Sequence, residues 1–219
     1  MANPLAEVID AVEAKRGSRW AFPDLHAPST AVIGCEVTRL GLTMCSRLRG
    51  AIPRIDWLAR TARAAGGTVV WCHFGPDAFD GPAGDVLGTE ARGQMRARLT
   101  DRAWTDVVDG VQGTGVDRKV PCNGYTAFTR EGSHLPYILR DMGIDTVVVC
   151  GAETEGAVSS NARDACTAGF RVIVASDCCA SADEAAHWTE LAAIHRRFGD
   201  VHAADEIIAE LRRGIGAEG

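Results

Sequence analysis

Glu36 is the side chain best placed by type and position to transfer a proton. It closes STAVIGCE, residues 29–36, a short apolar run with the length of a buried strand. A carboxyl group at the end of a buried strand loses hydration, which raises its pKa and suits it to general acid or base catalysis. The alternative is that this carboxylate only orders the neighbouring loop through backbone hydrogen bonds.

A second feature is the turn GAETEGAVSSNARDA, residues 151–165, which connects an apolar strand to a helix. A helix that starts near Glu155 presents backbone N–H groups at its first turn, and these favour negative charge. Ala157 occupies the place where a nucleophile is expected, and a methyl group cannot attack a carbonyl carbon. Covalent catalysis is therefore excluded at this position. Glu153 adds a carboxylate for which three roles are open: repelling an anionic substrate, acting as a second acid, or facing solvent.

Few other side chains offer a titratable amine or a nucleophile. Lys15 and Lys119 are the only lysines, and Lys119 is a candidate catalytic amine. Its alternative role is that of a solvated lysine at the start of a strand. Cys122 lies three residues further along the same predicted strand, where side chains point to the opposite face. It is a candidate substitute nucleophile, reactive only as a thiolate.

Three further residues are candidates for lining a pocket: His73, Tyr125 and Phe128. His73 follows a strand, and a role in a pocket is favoured over a role as a metal ligand. The eight cysteines include no pair with C-x-x-C spacing, so a structural zinc site is not expected. The sequence predicts neither a metal nor a cofactor.

The elements that position these residues follow a regular alternation of apolar strands and helical patterns. Continuous apolar strands are buried on both faces, which indicates a parallel sheet between helices. The ligand crevice of such a sheet lies beyond the carboxyl ends of its strands. The predicted strands are 29–36, 68–74, 117–122, 144–150, 171–177 and a short one at 200–203. The predicted helices are 3–16, 43–65 with a break or new start at Pro53, 90–98, 134–143, 155–168, 181–198 and 204–213, and 75–89 is predicted to be a surface loop.

Composition narrows the class of protein. The 219 residues are 46% hydrophobic, enough for one sizeable core. A net charge of −6 gives no electrostatic reason to expect a nucleic-acid partner. The first residues, MANPLAEVIDAVEAKRG, lack the apolar core of a signal peptide, and no apolar run has the length of a membrane span. We therefore expect a cytoplasmic protein with reduced thiols, a small-molecule substrate and no membrane partner.

Three stretches of the chain resemble the isochorismatase-like superfamily, also called the cysteine hydrolases. TAVIGCE resembles the first strand of the family, T-A-x-x-x-x-D, which ends in a catalytic Asp. YTAF, followed by GSHLPYILRDMGIDTVVVCG, resembles the family's S-A-F, G-T, L and G-I-x-x-x-x-x-x-G run. GAETEGAVSSNARDACTAGFRVIVASDCCAS resembles G-x-x-T-x-x-C-V-x-x-T-A-x-D-A-x-x-x-G-Y-x-V-x-V-x-x-D-A-x-A-S, the most specific of the three.

The resemblance implies a three-layer αβα sandwich around a central six-stranded parallel sheet, which is a Rossmann-like α/β fold. It divides the chain into an N-terminal helix and loop, residues 1–27, and an isochorismatase-like domain, residues 28–213. It also implies a homo-oligomer, here a dimer or tetramer. Family members usually hydrolyse amides or carbamoyl compounds with an Asp-Lys-Cys triad, and some cleave the vinyl ether of isochorismate without the Cys.

This chain departs from the triad at all three positions. Glu36 aligns with the Asp, Cys122 with the Lys and Ala157 with the nucleophilic Cys. Lys119 can replace the missing amine only if a bulge or insertion changes the strand register. By the same resemblance, the backbone amides of Glu153 and Ala157 form an oxyanion hole.

The resemblance places two more residues at that oxyanion hole. Ala152 precedes Glu153, and the peptide bond between them is implied to be cis. Gly156 precedes the second amide of the oxyanion hole. Both residues are therefore candidates for contact with the substrate.

Three functional hypotheses remain open on the sequence alone. The leading hypothesis is a hydrolase of amide, carbamoyl or enol-ether bonds in which Glu36 acts as general acid or base. The second is an amidohydrolase in which the catalytic Cys has been changed to Ala157 by engineering. The third is an inactive pseudoenzyme that binds a small molecule or a partner through the same pocket.

Overall fold

A parallel sheet of six strands forms the centre of the protein in the computed structural model, which describes residues 4–129 and 133–213. The strands are β1 Thr30–Cys35, β2 Thr68–Phe74, β3 Arg118–Cys122, β4 Thr146–Ala152, β5 Arg171–Ala180 and β6 Asp200–His202. Their order across the sheet is β3-β2-β1-β4-β5-β6, and every neighbouring pair is parallel. The predicted α/β fold is confirmed.

Helices cover both faces of this sheet, as the three-layer prediction requires. The helices are α1 Pro4–Arg16, α2 Arg39–Met44, α3 Leu48–Ala64, α4 Pro82–Leu87, α5 Thr89–Leu99, α6 Arg102–Thr105, α7 Leu135–Asp141, α8 Ser159–Thr167, α9 Glu184–Arg197 and α10 Ala204–Arg213. Helices α3 and α10 pack on one face of the sheet, while α1, α7, α8 and α9 pack on the other. A π-helical turn, Thr154–Val158, joins β4 to α8.

Alternation along each strand divides the core into two layers. In β1, Val32 faces α3 and α10, while Ile33 faces the opposite helices, and both are fully buried. Val148 and Val149 divide in the same way on β4. Full burial of each such side chain contributes roughly 1.5–3 kcal/mol. The sheet is therefore a rigid platform for the residues that follow its strands.

The strand order places a ligand crevice next to β1. The chain moves outward from β1 to β2 and β3, then returns to pair β4 on the other side of β1. Such a switch point opens a crevice beyond the carboxyl ends of the two strands that diverge there. Cys35 pairs with both Cys72 and Gly151, and Phe74 pairs with Cys122, so four strands end at one level.

Gly151 makes the close approach of β4 to β1 possible. Its φ is +114°, in the region that favours glycine. A Cβ at this position would lie 1.9 Å from the carbonyl oxygen of Cys35. Glycine is required there because any larger residue would push the end of β4 away from the end of β1.

Two predicted elements differ from the structure. Pro53 does not break a helix: α3 runs through it, and the break lies earlier, at Cys45, whose backbone is extended. Pro53 has no N–H to donate to the carbonyl of Arg49. Because Arg49 is exposed, water can form that hydrogen bond instead. The predicted 75–89 loop contains α4, which begins with Pro82 in the first turn, where proline favours a helix.

No helix in the described ranges combines the length and apolarity needed to cross a bilayer. The N-terminal α1 packs against α9 on the same face as α8. The domain division at residue 28 stays a prediction.

Candidate active site

Glu36 lies directly after β1 in a conformation that its surroundings fix. Its φ is +49°, in the left-handed region that residues other than glycine seldom adopt. Its N–H donates to the carbonyl of Cys72 at 2.9 Å, so it continues the hydrogen bonding of the sheet. Thr38 then caps α2 by accepting a hydrogen bond from the N–H of Gly41 at 3.0 Å. This tight turn holds the Glu36 side chain at the end of the sheet.

The carboxyl group of Glu36 is buried and without a cationic partner. The residue is 4% exposed, and no ion pair reaches its side chain within the described ranges. The N–H of Phe74 donates to Oε1, and the hydroxyl of Thr38 donates to Oε2 at 3.4 Å. Burial raises the pKa of Glu36 to about 8, because the loss of hydration outweighs these two hydrogen bonds. Glu36 is therefore a neutral acid at pH 7.

The structure brings the three triad-aligned positions together. Glu36 and Ala157 line two adjoining spaces, and Cys122 lines the second of them. The first space, which we call the Glu36 cavity, has room for about one water molecule. Its lining residues are Glu36, Gly41, Met44, Phe74, Tyr125, Ala152, Glu153 and Ala157.

The turn after β4 contributes main-chain atoms to the lining of this cavity. The peptide bond between Ala152 and Glu153 is cis, as the resemblance implies. The N–H groups of Gly156 and Val158 donate to the carbonyl of Glu153 at 3.0 and 3.2 Å, which folds the turn tightly. Gly156 has non-helical dihedrals, φ −103° and ψ −107°, and Ala157 follows it. The backbone at 153 and 157 therefore lies beside Glu36.

Asn161 fixes this turn to the segment after β3, and the sequence did not identify it as a site residue. Its amide nitrogen donates to the carbonyls of Ala157 at 2.7 Å and Tyr125 at 3.1 Å. Its amide oxygen accepts from the N–H of Ala127 at 2.9 Å. The sequence signal for this role was a polar residue four positions after Ala157, on the same face of a helix. In the structure, Asn161 is 1% exposed.

Glu153 contributes a second carboxyl group to the cavity. Its side chain is half-buried, and burial, followed by the nearby carboxylate of Glu155, raises its pKa. Burial and then the charge of Glu153 raise the pKa of the Tyr125 hydroxyl. The Tyr125 ring packs edge-on against Phe74 and Phe79, with centroids 5.5 and 6.0 Å away. The cavity thus combines two acids with aromatic walls.

Three predicted site residues lie elsewhere, and none lines the Glu36 cavity. Lys119 pairs through Nζ with Asp106 Oδ1 at 2.9 Å, on a partly exposed surface. His73 Nδ1 is 3.0 Å from the carbonyl of its neighbour Phe74, and burial lowers its pKa. Phe128 packs in the core against another aromatic ring. The β3 register shows no bulge that would turn Lys119 toward Glu36.

Cys122 lies beside a second thiol. It is 4% exposed, and its Sγ is 3.5 Å from the carbonyl of Val120. A hydrogen bond with Cys122, followed by burial, raises the pKa of Cys72 well above its usual value. Cys35, also buried, faces the same core layer. These thiols therefore form an apolar floor below the cavity.

Comparison with known proteins gives a consistent result. The sequence model of the isochorismatase domain matches residues 37–206, more than half of the chain. YecD, an uncharacterized isochorismatase family protein of Escherichia coli O157:H7, is 28% identical over 191 residues, 86% of this chain and 99% of that protein. An N-carbamoylsarcosine amidase of an Arthrobacter species is 25% identical over 170 residues, 76% of this chain and 63% of that enzyme. The crystal structure of a cysteine hydrolase from Pseudomonas syringae pv. phaseolicola 1448A has a TM-score of 0.78 at 22% identity and covers 89% of this chain and 97% of that one.

Proposed function

This chain belongs to the isochorismatase domain family, and on that premise we propose that it hydrolyses a small amide-type substrate at the Glu36 cavity without covalent attack by residue 157. The amidase among its relatives favours a C–N bond of an amide or carbamoyl group over an enol ether. The observation that carries the proposal is the position of a buried, neutral Glu36 beside the backbone of Glu153 and Ala157.

Glu36 supplies the proton in this mechanism. A water oxygen bonds to the carbonyl carbon, and negative charge that develops on the carbonyl oxygen is stabilised by the N–H groups of Glu153 and Ala157. The proton of Glu36 passes to the leaving nitrogen as the C–N bond breaks. The Glu36 carboxylate then recovers a proton from the attacking water, so the products are an acid and an amine.

Cys122 is a second candidate for the chemistry because it lines the same space as Glu36 and Ala157. As a nucleophile it must become a thiolate, but it lies beside the carboxylic acid of Glu36 and the thiol of Cys72, and no Lys, Arg or His is among the described residues that line the same space. We therefore assign Cys122 to the floor of the site. Cys122→Ala is expected to retain at least half of the parent activity, and its complete loss would favour the thiol mechanism.

Isosteric substitution tests the role of Glu36. We expect Glu36→Gln to lower turnover at least a thousandfold on a panel of small amides, carbamates and enol ethers, because the amide side chain cannot donate a proton of comparable acidity. Glu7→Gln, on the exposed face of α1, is the matched control and should match the parent protein. Circular dichroism establishes that both variants fold. Full activity of Glu36→Gln would remove Glu36 from the mechanism.

Restoring the thiol separates the remaining hypotheses. Ala157→Cys is not required for activity under our proposal. If the parent were inactive and Ala157→Cys hydrolysed amides, the chain would instead be an amidohydrolase that has lost its nucleophile. If neither protein turned over any substrate of the panel, the pseudoenzyme hypothesis would replace ours.

We further propose a cytoplasmic homo-oligomer, a dimer or tetramer, that acts without a cofactor. The family resemblance supports the assembly, and the eight cysteines, all of them free thiols, fit a reducing compartment such as the cytoplasm. Light scattering coupled to size-exclusion chromatography measures the assembly. A mass of 23.2 kDa at working concentration would contradict the oligomer.

A further inference from the structure

We propose that Glu153 makes the Glu36 cavity selective for small amides that carry a protonated amine and that it excludes those that carry a carboxylate. The inference rests on the proposed function, because it assigns the charge of the molecule that is hydrolysed beside Glu36. It goes further by giving the Glu153 side chain a role that is separate from that of its backbone N–H.

The carboxylate of Glu153 lacks a partner in the protein. It lines the cavity and is half-buried, yet no hydrogen bond or ion pair reaches its side chain within residues 4–129 and 133–213. By contrast, the neighbouring Glu155 accepts a hydrogen bond from the Ser181 hydroxyl at 2.8 Å. A partly desolvated carboxylate without a partner gains most from a cation supplied by a ligand.

The other walls of the cavity favour the same charge. Among the described residues that line it there is no Lys, Arg or His. Tyr125 and Phe74 present aromatic rings, which attract a cation placed over their faces. A carboxylate on the ligand would meet Glu153 with no compensating positive group among the residues that line the cavity. Such a like-charge contact disfavours binding.

Burial increases the effect that a ligand cation has on the ionisation of Glu153. The pKa of its carboxyl group is raised by desolvation and by Glu155, which means that the charged form is disfavoured in the empty cavity. A bound ammonium group stabilises that charged form. The proposed mechanism assigns Glu36 to the amide end of the same ligand, where it donates its proton. The cavity therefore holds two carboxyl groups with separate roles, and a ligand cation stabilises the carboxylate form of Glu153.

The cavity limits the size of this ligand. Space for about one water molecule remains between its walls, so a ligand requires a movement of the flexible, half-exposed Met44 side chain. A short aliphatic amide requires the smallest displacement of Met44. We therefore expect the preferred substrate class to be small ω-amino amides, in which an ammonium group and a primary amide are separated by a few methylene groups.

Three probes of similar size test the charge preference directly. They are β-alaninamide, which is cationic at pH 7, butanamide, which is neutral, and succinamate, which is anionic. Their dissociation constants are measured by NMR titration with the full chain and with Glu36→Gln, which is expected to hydrolyse them at least a thousandfold more slowly. Each measurement is repeated with Glu153→Gln introduced into both proteins. Glu155→Gln, introduced in the same way, is the matched control, because Glu155 does not line the cavity.

We expect β-alaninamide to bind at least tenfold more tightly than butanamide, and succinamate to bind at least tenfold more weakly. Glu153→Gln should reduce the preference for the cation at least tenfold and strengthen succinamate binding, while leaving butanamide within twofold. Glu155→Gln should change each constant by less than threefold. Equal binding of the three probes, no binding by any of them, or equal effects of the two substitutions would overturn the inference.

This result is independent of the test of Glu36. Loss of charge selectivity in Glu153→Gln establishes the inference even if the parent protein turns over none of the probes. Conversely, full activity of Glu36→Gln would refute the proposed mechanism while leaving the binding preference of Glu153 in place.

Discussion

Glu36 controls the chemistry at the scale of a single residue, and the reason is solvation. An exposed glutamate is ionised at pH 7 and cannot donate a proton. The burial of Glu36 raises its pKa from 4.5 to about 8, so the acid form predominates near neutrality. The extra methylene of Glu relative to the Asp of the family moves the carboxyl group further from its own backbone, while Phe74 and Thr38 hold both of its oxygens.

The pH dependence of the rate follows from this pKa. Because the protonated form of Glu36 is the catalyst, kcat/KM should be constant below pH 8 and fall about tenfold per pH unit above it. Initial rates between pH 5.5 and 10 measure the profile. Any residual activity of Glu36→Gln should lack this ionisation. A rate that increases through pH 8 would mean that Glu36 acts as a base instead.

At the scale of elements, the site depends on the close contact between the ends of β1 and β4. We expect Gly151→Ala to lower the free energy of unfolding by more than about 3 kcal/mol, since the methyl group adds a backbone clash to an unfavourable φ. Gly169→Ala is the matched control: its φ is +91°, but no atom lies within 4 Å of the added Cβ.

Urea denaturation measures both changes. The control should lose only about 1–2 kcal/mol, the value expected for a left-handed backbone alone. If the two variants were equally stable, the contact between the strand ends would not contribute to the fold. Activity should be lost in Gly151→Ala even where it stays folded, because Glu36 and the turn after β4 would move apart.

The β3 strand determines which of two candidates reaches the site. Its register aligns Cys122 with Phe74 and Lys119 with Trp71, so Lys119 lies three residues from the carboxyl end of the strand. We expect Lys119→Met to keep the parent kcat/KM within twofold. Stability should fall by less than about 1 kcal/mol, because the ion pair with Asp106 is largely solvated. A loss of activity of more than tenfold would show that Lys119 takes part in catalysis.

At the scale of the whole molecule, the buried acid links global stability to pH. The folded state raises the pKa of Glu36 above its ordinary value of 4.5, so folding binds a proton. This stabilisation is fully present below about pH 4.5 and is lost as pH rises through about 8. Between pH 6 and 9, the free energy of unfolding should fall by about 2–3 kcal/mol relative to Glu36→Gln.

Parallel urea titrations of the two proteins at pH 6 and 9 measure this difference. Groups other than Glu36 titrate in both proteins, so their contributions cancel in the comparison. Identical pH dependence in the two proteins would show that the Glu36 carboxyl group is solvated. It would then have no reason to stay protonated at neutral pH.

The sequence by itself determined the fold and the level of the sheet at which chemistry is possible. Local pattern was sufficient for this, because doubly buried strands require continuous apolar runs and a parallel sheet collects the residues that follow them at one end. Glu36, Cys122 and the turn at Ala157 were identified in this way. Pro53 was mispredicted because local propensity does not register that the carbonyl of Arg49 reaches water. The helix α4 was missed because Pro82 was interpreted as a loop residue, although proline also favours the first turn of a helix.

Only the tertiary structure decided which candidates share a cavity. The registers of β1 with β4 and of β2 with β3 bring Glu36, Cys122 and Ala157 together and leave Lys119 with Asp106. The charge states of Glu36 and Glu153 also depend on it, since desolvation is a property of everything packed around a group and not of its neighbours in sequence. For the same reason, no local pattern could show that Glu153 lines the cavity without a partner.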